Sequence, residues 1–325
     1  DIHILLLRHL LQFPDILLYI GTDKQKYCKG LPGFLKDSPN LPQPAVPTTL
    51  YTVEANQSAG IELRKKRHIL ASKTAERIEA NYASVLERVE LNLEQLYLLA
   101  LSDIDKLILA VISGRKNIIP RYLQWQRSAY IHRSVPMKVV QVQLEYLKEI
   151  LQEHTAAAHA AAVIEHVDEG LSSLEEELHE PDSFLENAGG WKPAAERYLR
   201  HLLDKEREKA KSYVLSRVKD RKSMEMIYDR ILLPVQQEVG RLWQLNRVSV
   251  ADEHYATETT RQVMTQIGSM LRREEGSKGK IISTCMGGEY HDMGIRMVND
   301  FLELAGYRTY YTGANTPAVS IVHWL

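Results

Sequence analysis

Apolar residues recur every three or four positions over most of this chain, and that spacing breaks only near its end. Between 61 and 178, Ile78, Tyr82, Val85, Val89, Leu93, Leu96 and Leu99 form one stripe, which predicts amphipathic helix and a core face. Asp103 is read as opening the next helix and Gly114 as ending it. Pro120 opens a third, and Pro136 a fourth that carries Val139, Val142, Leu144, Leu147 and Leu151. Alanine-rich 155–163 continues the theme, so 61–178 is expected to be an all-α module. Pro181, Gly189 and Gly190 mark a linker over 179–192, with Pro193 at its far boundary.

A second helical block is expected over 193–275. Ile227, Ile231, Val235, Val239 and Leu242 lead to Trp243, with a kink predicted at Pro234 because proline lacks a backbone donor. Ser249 with Asp252 three residues on has the form of a helix start, followed by Val250, Ala256, Val263, Met264, Ile267 and Met270 at helical intervals. Glu253 and His254 therefore fall in the first two turns of that helix.

From 280 the pattern changes. Lys280–Thr284 is short, apolar and β-branched, and Ile295–Ala305 is helical and stopped by Gly306. Tyr307–Tyr311 then has the look of a second strand. A strand–loop–helix–strand run places its loop at the carboxyl edge of a parallel sheet, where open α/β sheets bind ligands. The fold class expected is mainly α with a C-terminal α/β part. Residues 1–60 stay unassigned: Asp15–Ile20 has the composition of a strand, and 30–48 reads as a proline-rich linker.

The 325 residues can bury two or three cores. A net charge of −1 gives no sign of a general nucleic-acid binder, so no direct nucleic-acid partner is expected. Cys28 and Cys285 are too few for a disulfide framework, which points to a reducing, cytoplasmic setting. Apolar runs near the start are short and interrupted by Arg8, His9 and Pro14, so no membrane association is expected.

The candidate chemistry lies in Cys285–Gly294. Glu289 stands two residues before His291, close enough to take a proton from one imidazole nitrogen and leave the other free for a metal. Gly287, Gly288 and Gly294 allow close approach of a bulky ligand. A solvated histidine at a loop mouth is the plain alternative.

Glu289-x-His291-x-x-Gly294 is similar to the Asp-x-His-x-x-Gly signature of cobalamin-binding domains, with Glu in place of Asp. Upstream, Trp243 followed by Glu253-His254 resembles the Trp-x9-Glu-His pattern of cobalamin-dependent photoreceptors, the group that contains light-sensing repressors of carotenoid genes. The resemblance implies a four-helix cobalamin cap over 193–275 and a Rossmann-like cobalamin domain over 280–325. It implies His291 as the cobalt ligand, Glu289 as its partner and Gly294 as the close-approach glycine. It also implies Trp243 as the shield of the upper adenosyl group, with Glu253 and His254 beside it. The group's sheet domain has several more strands than 280–325 supplies, so this domain is incomplete unless another segment joins it or the chain is a fragment. One departure is Gln244, where the best-known members carry a histidine that binds cobalt after illumination.

The stretch Tyr122–Pro136 resembles the all-α module of photocobilins, which pair cobalamin with biliverdin. Trp125, Tyr130, His132 and Arg133 offer aromatic faces and cationic donors to a tetrapyrrole bearing propionates. An ordinary helix junction, or a haem held by His132, His154, His159 or His166, are the alternatives. The function expected is light sensing through adenosylcobalamin, with biliverdin as second chromophore. The protein would be a regulatory homo-oligomer whose assembly responds to light and which acts on a downstream effector, rather than an enzyme. A corrinoid carrier for methyl transfer is the runner-up.

Overall fold

A computed structural model describes residues 16–21, 50–89, 91–178, 180–271, 278–285, 290–316 and 320–321. The chain is mainly α-helical with a small C-terminal α/β part, and it divides into two compact units.

The first unit comprises 44–182 together with 242–247. Its helices are α1 (Leu50–Val89), α2 (Leu93–Ser113), α3 (Ile118–Ile131), α4 (Lys138–His154) and α5 (Ala157–Ser173). Helix α1 begins within the segment left unassigned from the sequence and is kinked at Tyr82, where φ is −129° and ψ 21°. The apolar stripe from Ile78 to Leu99 is not one helix. Asn92 accepts from the Gln95 amide while the Gln95 side chain accepts from the Asn92 amide, and this capping box starts α2 afresh. The periodicity crosses the break because both helices face one core.

Asp103 does not open a helix; it lies in the middle of α2, 2% exposed. Gly114 ends α2 as expected, in the left-handed region at φ 64°. Pairs Gly60–Ile112, Arg67–Asp105 and His68–Tyr97 show α1 and α2 running antiparallel. The core between the helices is built from Leu63, Leu70, Ile104, Leu107, Leu123, Leu144, Leu147, Val163 and Val167.

Glu62 ties α1 to the α4–α5 junction. Lys66 Nζ donates to Glu62 at 2.7 Å and to the His154 carbonyl at 2.7 Å, while His159 Nδ1 lies 2.5 Å from the other carboxylate oxygen.

The second unit comprises 183–241 and 248–325 with the N-terminal segment. A 3₁₀ turn at Phe184–Trp191, inside the stretch read as a linker, leads into α6 (Lys192–Leu203), α7 (Arg207–Leu215), α8 (Arg221–Ile227), α9 (Leu233–Gln244) and α10 (Val250–Met270). Pro234 does not act alone. The chain passes through a π-helical turn at Tyr228–Leu232 immediately before it, a widened turn that accommodates the missing donor and joins α8 to α9. Tyr198, Tyr228, Met224, Ile231, Val235, Val239, Val263 and Ile267 fill the bundle.

The sheet has order β1 (Ile16–Gly21), β2 (Lys280–Cys285), β3 (Arg308–Tyr311), with α11 (Met293–Leu304) between the last two. Strands β2 and β3 are parallel, as expected, in register Lys280 with Arg308 and Ser283 with Tyr311. The N-terminal strand pairs antiparallel with β2, Ile16 opposite Cys285, and so supplies a third strand to a sheet of which 280–325 contributes two. Gly306, at φ 91°, ends α11 and turns the chain into β3. Met297 and Phe301 of α11 enter the bundle core, and Tyr228 OH donates to Asp300 Oδ2 at 2.7 Å, so the α/β part packs directly on the helices. Residues 22–49, including the proline-rich 30–48 stretch, lie outside the described residues.

Candidate functional site

The site is built on α10 and the carboxyl edge of the parallel strand pair. Ser249 starts α10 as read: it accepts from the Asp252 amide at 3.2 Å, and Asp252 accepts in return from the Ser249 amide at 3.0 Å and hydroxyl at 2.7 Å. These bonds, with Lys205 at 3.1 Å, hold the Asp252 carboxyl at about 2. The same cap fixes where Glu253 and His254 point.

Glu253 is part of a polar ladder within the bundle. The Thr257 hydroxyl lies 2.9 Å from Glu253 Oε1 and 3.1 Å from Gln236 Oε1, and its single proton serves one of them at a time. Gln236 Nε2 donates to Thr260 Oγ1 at 2.8 Å, and the Tyr198 hydroxyl sits 2.9 Å from the same oxygen. His254 Nε2 lies 3.4 Å from Glu253 Oε2, and its side chain is 74% exposed, so it is available to a ligand.

Between the end of β2 and the start of α11, His291 is exposed. Its carbonyl lies 3.9 Å from the Cys285 thiol. Its neighbour Asp292 is buried and doubly held: Arg261 of α10 pairs with one oxygen, and the Tyr311 hydroxyl donates to the other at 2.6 Å. Burial, and then the adjacent Asp292 carboxylate, push the Tyr311 phenol well above its ordinary pKa. Gly294 is buried in the first turn of α11. The Cys285 amide and Thr284 hydroxyl both donate to the Gly313 carbonyl, bringing the loop after β3 alongside.

Glu253, Thr257, Arg261 and Thr265 follow one another at single-turn spacing along α10, and Arg296 of α11 donates to Thr265 at 2.6 Å. Arg261 is two turns, about 12 Å, from Glu253 along the axis. The stripe that orients Glu253 therefore also anchors the residue beside His291. A cleft of about 350 Å³ opens along it, lined by Glu258, Arg261, Gln262, Thr265, Gln266 and Arg296. Asp292, Arg261, Thr257 and Gln236 were not singled out from the sequence. The one local signal was the four-residue spacing of Glu253, Thr257 and Arg261.

Glu289, with Gly287 and Gly288, lies outside the described residues. An exposed imidazole on an anchored loop fits the donor a cobalt ion takes from protein. Among the described residues no group of three or more His, Cys, Asp or Glu forms a metal cluster.

Trp243 and Gln244 cluster with the helical unit. The Trp243 indole stacks on that of Trp125, centroids 5.8 Å apart, and the Arg133 guanidinium lies 4.5 Å from its centre. Arg133 also donates to the carbonyls of Trp243 at 2.6 Å, Gln244 at 3.1 Å and Ala129 at 3.0 Å, capping the last turn of α9. Desolvation there lowers its pKa. His132 Nδ1 is 2.8 Å from the Ser128 carbonyl and Nε2 3.4 Å from Glu180. Gln244 is 8% exposed with its amide 3.4 Å from the Trp125 carbonyl.

Of the four residues read as a bilin contact, Trp125 is 42% exposed. Tyr130 is half-buried, its phenol pushed up first by burial and then by Asp103. The structure thus brings Trp125, His132 and Arg133 together around 243–247 and leaves Tyr130 deeper, near Asp103.

Among the described residues no helix is long and apolar enough to cross a membrane. No curated protein matches the chain, and no solved structure does. Residues 194–267, from α6 through most of α10, match the family model described as the B12 binding domain. The chain therefore carries a B12-binding domain, which supports cobalamin as its ligand.

Proposed function

We propose that this protein is a light sensor that uses adenosylcobalamin. The supporting observation is the B12-domain match, whose span contains Trp243, Glu253 and His254 and is followed by the exposed His291 at a parallel-strand edge. In this reading His291 would hold the cobalt, with Glu289 as its partner and Gly294 as the position that would let the macrocycle approach. Trp243 shields the upper group, and Glu253 and His254 contact it. When bound, adenosylcobalamin supplies a cobalt–carbon bond that light breaks.

The remaining work is the chain's own. The Thr257 hydroxyl, shared with Gln236, reaches Glu253, and Arg261 and Tyr311 hold Asp292 beside His291. Loss of a ligand group held by Glu253 and His254 would favour a different packing of α10. A switch needs such differential contacts in its two states. The output is a change in shape or homo-oligomeric assembly, read by a downstream effector. Position 244 carries an amide rather than an imidazole, and Gln244 is buried with its amide near the Trp125 carbonyl, so it would offer cobalt no histidine donor.

Biliverdin as second chromophore is favoured by the exposure of Trp125, at 42%. A propionate that paired with Arg133 would compete with the three carbonyls this guanidinium already caps. Added biliverdin should develop a red-shifted band that weakens in Trp125→Ala; unchanged free-bilin absorbance removes this part.

Titration of the protein with adenosylcobalamin in the dark tests the main reading. A shifted corrin spectrum that is lost in His291→Ala supports it, and no shift overturns it. Illumination of the complex then separates sensor from corrinoid carrier. A sensor changes assembly or shape, whereas a carrier keeps its state and accepts methyl groups when reduced.

A further inference from the structure

We infer that the helical unit carries a one-electron relay from Trp243 through Trp125 to Tyr122, with Asp103 as the proton acceptor at its inner end. All four residues belong to one compact unit. The Trp243 and Trp125 rings lie 5.8 Å apart, 23° from parallel, and those of Trp125 and Tyr122 lie 6.3 Å apart, 19° from parallel. Indole and phenol give up an electron more readily than other neutral side chains. Rings in near contact pass an electron by short steps.

The two ends of the stack differ in a way that ordinary aromatic packing does not require. At the outer end the Arg133 guanidinium lies 4.5 Å from the centre of Trp243, and this positive charge disfavours an oxidised indole there. At the inner end the Tyr122 hydroxyl donates to Asp103 Oδ1 at 2.8 Å. An oxidised phenol is a strong acid, so Tyr122 can hold the oxidising equivalent only if a base takes its proton. Asp103, 2% exposed, is the base within reach. Its other oxygen accepts from Gln143 at 2.5 Å, and the Ser102 hydroxyl sits 3.2 Å from the Tyr122 oxygen. Tyr130 is a further titratable group near Asp103.

A one-electron oxidant at Trp243, which in the reading above would be a light-excited tetrapyrrole, leaves the Trp243 radical cation, and this is refilled from Trp125. Trp125 is refilled from Tyr122 as the phenolic proton moves to the Asp103 carboxylate. The sum is one electron gained by the oxidant, a neutral tyrosyl radical and a protonated Asp103, with charge conserved. The natural oxidant rests on the function proposed above; the relay itself does not.

The test uses the full chain without corrinoid, flash-oxidised by tris(bipyridine)ruthenium with persulfate as the electron sink. Radicals are followed by transient absorption and by electron paramagnetic resonance after freeze-quenching. A tryptophanyl signal should decay as a tyrosyl signal grows. Tyr122→Phe should prolong the first and remove that tyrosyl component. Trp125→Phe, at an exposed site where folding is tolerant, should also remove it. Asp103→Asn should slow the transfer. Equal tyrosyl growth in wild type and Tyr122→Phe, or in wild type and Trp125→Phe, overturns the relay. An unchanged rate in Asp103→Asn overturns the role of the carboxylate. Dark titration with adenosylcobalamin reports on the sensor reading separately, so failure of one is distinguishable from failure of the other.

Discussion

Arg133 stands over the indole of Trp243 and caps the backbone of the same residue: its guanidinium lies 4.5 Å from the ring centre, and Nη2 donates to the Trp243 carbonyl at 2.6 Å. One side chain thus fixes both the ring and the helix end of a residue proposed for the cobalamin site.

Arg133→Ala should therefore free the carbonyls of Trp243 and Gln244 and loosen 242–247. The loss of charge-assisted bonds and of the ring contact should cost about 2–3 kcal/mol. Amide hydrogen exchange across 243–247 should accelerate, with Arg133→Lys intermediate because an ammonium lacks the planar fork. Unchanged protection would count against the cap.

Glu62 should stabilise the helical unit at neutral pH. Lys66, then His159, hold its carboxyl at about 2 against an ordinary 4.5, although partial burial opposes them. With the folded value depressed, the contribution is present above 4.5 and is lost as pH falls toward 2. Screening at this partly exposed site reduces it to about 1–2 kcal/mol. Urea denaturation of Glu62→Gln should show that deficit at pH 7 and convergence with wild type near pH 2.

Asp103 has the opposite sign. Burial raises its carboxyl from 3.8 to about 6, against the Tyr122 and Gln143 hydrogen bonds that lower it. The folded state keeps the proton longer than the unfolded chain, so stability falls as pH rises from 3.8 to 6 and is level above. The loss is about 3 kcal/mol at most. Asp103→Asn should abolish this slope; a slope retained in the variant would assign it to other groups.

Gly170 permits close packing of α5 on α3. A Cβ at this position would lie 2.5 Å from Ile119 Cγ2 and 2.7 Å from Leu123 Cδ1. Alanine gains about 1 kcal/mol of helix propensity. The β-branched Ile119 is stiff at χ1, and overpacking costs about 1–3 kcal/mol. Gly170→Ala should be net destabilising in urea titrations. Adding Leu123→Ala should recover little, because the methyl on Cβ of Ile119 is the harder contact.

Much of the secondary structure was legible because its signals are local. The Ser249–Asp252 box, Gly114, Gly306 and the change to β-branched residues at 280 each act within four residues. Asp103 has the form of a helix start, because an aspartate beside an apolar run looks the same whether it caps the helix or is buried within it. One stripe runs across the Asn92 restart because two helices facing one core keep the same period.

The order of residues by itself determined the helices, the strand–loop–helix unit, and the match of 194–267 to a B12-binding domain. Tertiary structure alone decided that Trp243 stacks on Trp125, that Arg133 caps α9, that Asp292 is held by Arg261 and Tyr311, and that residues 16–21 pair with β2. The reason is range. Helix and turn preferences come from neighbours along the chain, whereas these partners are selected by which faces meet once apolar surface is buried, and many pairings are compatible with the same local pattern.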